Sequence, residues 1–190
     1  MRDIYTTAAE RITLFEPANL TVAGAQYERA CVYVEAGASG SVITLRGDVR
    51  ADVTVWAYYG IRADVTIVVM GTARLCQSGG TSHTYDAGYV RVSSGTAHVY
   101  GTARGLVDCA DGLAVAHDHA RVTAHAGHIT ACDDSTVTLY YHSRAAARDQ
   151  ATVYNYSQYG ESAVAVEDGV SVSHERALHD PEHGGVRILR

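Results

Sequence analysis

At 190 residues the chain is long enough for one domain with a sizeable buried core. Its hydrophobic content, 47%, is ordinary in amount but is mostly Ala and Val, with Phe15 and Trp56 the single copies of their types; this excludes a wide interior filled by bulky rings. The net charge is −6 and all 15 basic residues are arginine, which argues against broad attraction to nucleic-acid phosphates or acidic lipids.

The N-terminal stretch MRDIYTTAAERITLFE has no apolar core of a secretory leader. Residues 2–11 are expected to form a short capping helix with Ile4, Ala8 and Arg11 on one side. From Ile12 onward a different pattern takes over, aliphatic-x-aliphatic. It runs through Ile12-x-Leu14, Leu20-x-Val22, Val32-x-Val34, Val53-x-Val55 and Val65-x-Ile67 to Val164-x-Val166 and Val170-x-Val172. In a strand, residues i and i+2 share a face, so each copy turns two small aliphatics inward and one residue, often Thr, outward. One copy buries too little to stand alone, whereas many stacked copies bury a continuous core.

The early pairs stand 10 to 12 residues apart, and the surplus, including Tyr58, Tyr59 and Gly60, predicts longer corners or small protruding loops. From Ala97 the pairs begin near Val107, Leu113, Val122, Ile129, Val137, Ala145 and Val153, a mean step of eight. Turn-forming Gly, Ser, Asp and Asn separate them. Strands so short suit the sides of a coil, with two or three sides giving turns of roughly 16 or 24 residues. The rival topology is an antiparallel meander, signalled by Asp111-Gly112 and Asp168-Gly169. The number of sides and the handedness stay open.

The predicted fold is therefore all-β: a single-domain parallel β-solenoid over residues 1–172, with a non-repeating cap at each end. Residues 173–190 lose the octad step, gain charge and end in the strand-like VRIL; they are expected to form a C-terminal cap or an arm that docks on a neighbouring chain. Self-association would cover open strand edges at the ends of the column. No apolar run approaches the length of a membrane span, so a cytoplasmic protein with reduced thiols is expected. The four cysteines (Cys31, Cys76, Cys109, Cys132) lie far apart and read as free, buried thiols.

Chemistry-bearing residues gather in the second half. His117, His119, His125, His128, Cys132 and Asp133 are of the types that bind zinc or copper, but their spacing matches no zinc signature, and octad neighbours would fall on different sides of a coil. No metal and no cofactor is expected. Tyr140, Tyr141, Tyr154, Tyr156 and Tyr159 crowd together; with His117 and His125 they are the candidate interaction surface, since exposed Tyr supplies area and a hydroxyl at low entropic cost. Between residues 105 and 170 nine acids face three arginines, which reads chiefly as a solubilising surface. There is no nucleophile elbow and no phosphate-binding glycine loop. Asp108, Asp111 and Asp118 are the acids that would have to converge in a carbohydrate-cleaving groove.

The segments VMGTARLC (69–76), GTAHVYGTARG (95–105) and ARVTAHAGHITACDDSTVTLYYHSRAAARDQATVYNY (120–156) resemble the short V-Y-G-T-A and A-T-V-x-A repeats of uncharacterised β-solenoid proteins from actinobacteria and their phages. The lysine-free composition agrees with a GC-rich host. The resemblance implies a solenoid, and it implies no shared activity or catalytic residues. The expected function is a non-enzymatic scaffold or protein-binding module, phage-encoded, acting in the host cytoplasm on a host factor or as a virion component. The alternative is a carbohydrate-active solenoid enzyme of tail-spike type.

Overall fold

The computed structural model describes residues 1–7, 11–24, 29–58, 61–156, 163–166, 170–174 and 187–189. Within these the protein is a two-sided parallel β-solenoid. Successive short strands do not pair with each other; each pairs with the strand one full turn away. Arg104–Val107 pairs in parallel with Arg121–Ala124, and that strand with Thr136–Leu139. The intervening Gly112–Ala116 pairs with His128–Ala131, and that one with Arg144–Ala147. The two series form two faces, here called front (Arg104–Val107 and its partners) and back. From Arg104 to Arg121 to Thr136 to Thr152 the register advances by 17, 15 and 16 residues, so one turn is two octads.

Every pairing described in the main sheet is parallel, which removes the meander. Among the described residues the single antiparallel pair is Ala57–Tyr58 with Ile61–Arg62, at the position where surplus residues predicted a protrusion. Among the described residues 2–7 and 11, the expected N-terminal helix does not form. Arg2–Thr6 is a strand paired in parallel with Ala18–Val22. The physical reason is that Ile4-Tyr5-Thr6 suits a strand, a ready ladder lies beside it, and an isolated helix of ten residues is marginal. At the other end, Arg187–Leu189 pairs in parallel with Ala163–Ala165.

The core is the thin column that composition implied. Val90, Val92, Val107, Val122, Val137 and Leu139 point inward from the front, and Ala97, Val99, Ala114, Ala116, Ile129 and Ala131 from the back, all at most 2% exposed. Larger Leu20, Ile43 and Ile67 fill one back column in the first half, in direct register. Phe15 and Trp56, 70% and 51% exposed, take no part. Gln77 is the largest fully buried polar side chain among the described residues, sitting in register between Val53 and Val92. Its amide donates to the carbonyls of Gly80 (2.8 Å) and Thr96 (3.1 Å) and accepts from the Ser82 hydroxyl (2.6 Å), so burial costs it no unmet hydrogen bond.

Two kinds of corner join the faces. On the edge leading from back to front, Gly71, Asp86, Gly101, Asp118, Asp133 and Asp149 occupy equivalent turn positions, all with φ between 50° and 70°. Asp tolerates this left-handed backbone better than most side chains. Each aspartate also accepts from the N–H of its counterpart one turn earlier: Asp86 from Gly71 (3.0 Å), Asp118 from Gly101 (3.1 Å), Asp133 from Asp118 (3.1 Å) and Asp149 from Asp133 (3.3 Å). Several acids of the second half are thus corner pieces that hold the backbone. We call this the aspartate edge; the opposite one is the tyrosine edge.

Candidate functional site

A stack of nearly identical turns lines up residues from distant sequence positions about 4.8 Å apart, so the columns, rather than any local motif, make the surface sites. Four columns carry chemistry.

On the tyrosine edge, Asp108, His125, Tyr140 and Tyr156 follow one another as the first residue after each front strand. The Tyr140 and Tyr156 rings stack at 5.4 Å and 14°. His125 meets Tyr140 edge-on at 5.4 Å and Tyr141 edge-on at 5.9 Å. Tyr141 itself stands 60% exposed with φ 50°. The other left-handed non-glycine residues described are all aspartates. A bulky ring in this backbone region is strained, and such strain concentrates at functional positions.

On the aspartate edge and the adjoining back face, His83 stacks on His98 (5.0 Å), Tyr85 on Tyr100 (5.0 Å) and Tyr100 on His117 (4.6 Å). His98 Nδ1 and His117 Nε2 lie 3.4 Å apart. Burial, then the neighbouring His83 and His117, hold the His98 pKa below its ordinary value; burial raises that of Tyr100. His117 Nδ1 faces Asp133 at 3.9 Å.

The predicted residues therefore separate into groups. Tyr140, Tyr141, Tyr156 and His125 come together on the tyrosine edge. Tyr154 lies outward on the front face in register with Thr123 and Thr138. His117 belongs to the opposite edge, so the octad column His117–His125–Asp133 splits, as a two-sided coil requires. Tyr159 falls outside the described residues. His119 faces Asp134 at 3.9 Å on the aspartate edge. Among the described residues no three His, Cys, Asp or Glu side chains converge as metal ligands. The thiols are free, but Cys76 and Cys109 are exposed and only Cys132 is buried, a correction to the expectation of burial: strand alternation turns Cys76 outward, and Cys109 sits in a corner. Arg148 donates to the Cys132 sulfur at 3.2 Å.

The three candidate acids also divide. Asp108 is ion-paired with Arg91, Asp111 stands exposed in the following corner, and Asp118 is engaged on the opposite edge by the Gly101 N–H.

The fourth column escaped sequence reasoning. Arg29, Arg50, Arg74, Tyr89, Arg104 and Arg121 pair in direct register down the front face, next to the aspartate edge. The shared Gly-Thr-Ala-Arg of residues 71–74 and 101–104 was the visible signal: its glycine makes the corner and its arginine opens the front strand. Two shallow grooves of about 710 and 730 Å³ run along this column and share Tyr89 and Arg104. Burial raises the Tyr89 pKa.

Compared with protein families, curated proteins and solved structures, the chain has no match.

Proposed function

We propose that the protein is a non-enzymatic solenoid scaffold that docks a protein partner on its tyrosine edge. Tyr141 carries this reading: a 60%-exposed ring held in a left-handed turn, beside His125 and the stacked pair Tyr140 and Tyr156. Rigid aromatic rings presented by a fixed backbone are the usual anchors of protein interfaces. A solenoid can hold such anchors without further rearrangement. The dispersal of Asp108, Asp111 and Asp118 over two edges supports a non-catalytic role, because glycoside cleavage needs two carboxylates converging on one bond.

On this reading the scaffold is phage-encoded and engages a host protein in the host cytoplasm, or a structural protein within a virion. The test is affinity capture with the unaltered chain and with Tyr141→Asn, from uninfected and phage-infected actinobacterial lysates. A partner retained by the first and lost by the second is the expected result. A host protein would select the inhibitor role and a phage structural protein the virion role; equal capture by both baits would sink the tyrosine-edge reading.

A further inference from the structure

The arginine column has a property that general surface charge does not give. Arg29, at its start, is neutralised by Asp52, and Arg91 in the adjacent column by Asp108. Arg50, Arg74, Arg104 and Arg121 have no carboxylate partner among the described residues, and all four are exposed. Arg50 and Arg74 sit on adjacent turns, as do Arg104 and Arg121, with Tyr89 between the two pairs. Like charges one turn apart repel, and this chain has acids to spare, with a net charge of −6. The acids are placed elsewhere, mainly on the edges. Asp48 is the one carboxylate lining either groove; it lies at the Arg74 end of one of them, 3.4 Å from the Thr72 hydroxyl.

The grooves supply the other half of the argument. Around the guanidinium groups they present hydroxyls from Thr123, Thr136 and Thr138, and that of Thr102, which donates to the Asp86 carbonyl, with Tyr154 and Tyr156 at one end. Cation, hydroxyl and ring, repeated along a straight flat surface, match a straight ligand with an anion at each repeat. Guanidinium groups take carboxylates in a two-pronged geometry. Threonine hydroxyls exchange hydrogen bonds with sugar hydroxyls, and a tyrosine ring packs against the apolar side of a sugar. A polymer of uronic acids carries one carboxylate per sugar on an extended chain, a repeat of the same order as one solenoid turn.

Single-stranded nucleic acid fits less well. It needs a run of free ring faces for successive bases, whereas of the groove tyrosines one face of Tyr156 is taken by Tyr140 and Tyr89 is half-buried, which leaves Tyr154 alone. The overall negative charge also opposes phosphate binding at long range.

We infer that the front face is a binding site for a linear polyuronate, laid along Arg74, Tyr89, Arg104 and Arg121 with Tyr154 against its sugar rings. The site adjoins the tyrosine-edge docking surface, with Tyr156 lining the groove on one side and stacking on Tyr140 on the other. A chain with both would attach a protein to an acidic polysaccharide, and neither claim depends on the other.

The experiment is a titration of the full chain with polygalacturonate and with alginate, against neutral dextran, polyglutamate and single-stranded DNA at matched ionic strength. Arg104→Gln and Arg121→Gln are the test variants. Arg144→Gln, an exposed arginine on the back face, is the charge control. Because these side chains are exposed, unchanged circular dichroism and melting are expected for all three. Binding to at least one polyuronate is expected, weakened about ten-fold by each front-face variant and unchanged by the control. Binding to neither polyuronate overturns the proposal. So does equal affinity for polyglutamate or DNA, or an equal loss with Arg144→Gln.

Discussion

Replacing Tyr141 by Asn separates a residue kept for packing from one kept for recognition. The left-handed backbone costs an ordinary side chain roughly 1–2 kcal/mol, and Asn much of that less, because its short amide bonds locally. Against this gain stands the aromatic packing that Asn cannot reproduce. The ring meets His125 edge-on at 5.9 Å and Tyr140 at 6.4 Å and 41°. Aromatic pairs of this kind contribute about 0.5–1.5 kcal/mol. With 60% of the residue in solvent, the lower part of that range applies, and little apolar area is uncovered. The balance is a net stabilisation of roughly 0.5 kcal/mol. For a chain of this size that raises the melting temperature by about 1–2 °C. Thermal unfolding by circular dichroism measures it, and capture of the partner by the same protein measures the recognition role. A variant that melts at or slightly above the parent temperature and has lost its partner is the expected outcome. A fall of more than about 3 °C would refute the reasoning, since the ring would then be serving the fold.

Other perturbations probe the corners and the histidine stack. Gly95 has φ 90°, and a Cβ there would lie 2.9 Å from the Gly79 carbonyl carbon, whereas Gly101 has φ 63° with nothing within 4 Å. Gly95→Ala should therefore cost about 3 kcal/mol or more and Gly101→Ala only about 1 kcal/mol in urea unfolding; equal costs would show that the corner at Gly95 relaxes. His98 has a folded-state pKa below its ordinary 6.5. The unfolded chain thus takes up this proton at higher pH than the folded one. Its contribution is fully present above pH 6.5, declines as pH falls through that value, and levels off below the folded pKa. His98→Phe, which keeps a ring between His83 and His117, should make the fall in stability below pH 6.5 shallower; an unchanged slope would contradict the burial of that imidazole.

The solenoid was legible because its physics is local. An inward pair such as Val137 and Leu139, followed by a turn, declares a short strand, and the eight-residue step declares a regular coil. The number of sides was not legible. An octad step says how far apart sides are, but not how many of them close a turn. That depends on corner geometry, such as the left-handed positions at Gly101 and Asp118 and the close glycines of the tyrosine edge. The site suffered from the same gap. Tyr140, Tyr141 and Tyr156 are near in sequence and were found together. Arg74, Arg104 and Arg121 are 30 and 17 residues apart, and join only once the turn length is known. The N-terminal strand was missed because Arg2–Thr6 has a weak pattern of its own and acquires its structure from the neighbouring ladder.

Pairing between turns tests the account most directly, because both proposed surface sites require distant residues to stack with this stride. Through-space contacts between backbone protons in solution NMR should link Arg74 to Tyr89, Tyr89 to Arg104, Arg104 to Arg121 and Arg121 to Thr136 in parallel register. Links instead between successive segments, with Arg104–Val107 running antiparallel to Gly112–Ala116, would contradict the two-sided coil and dissolve the arginine column with it.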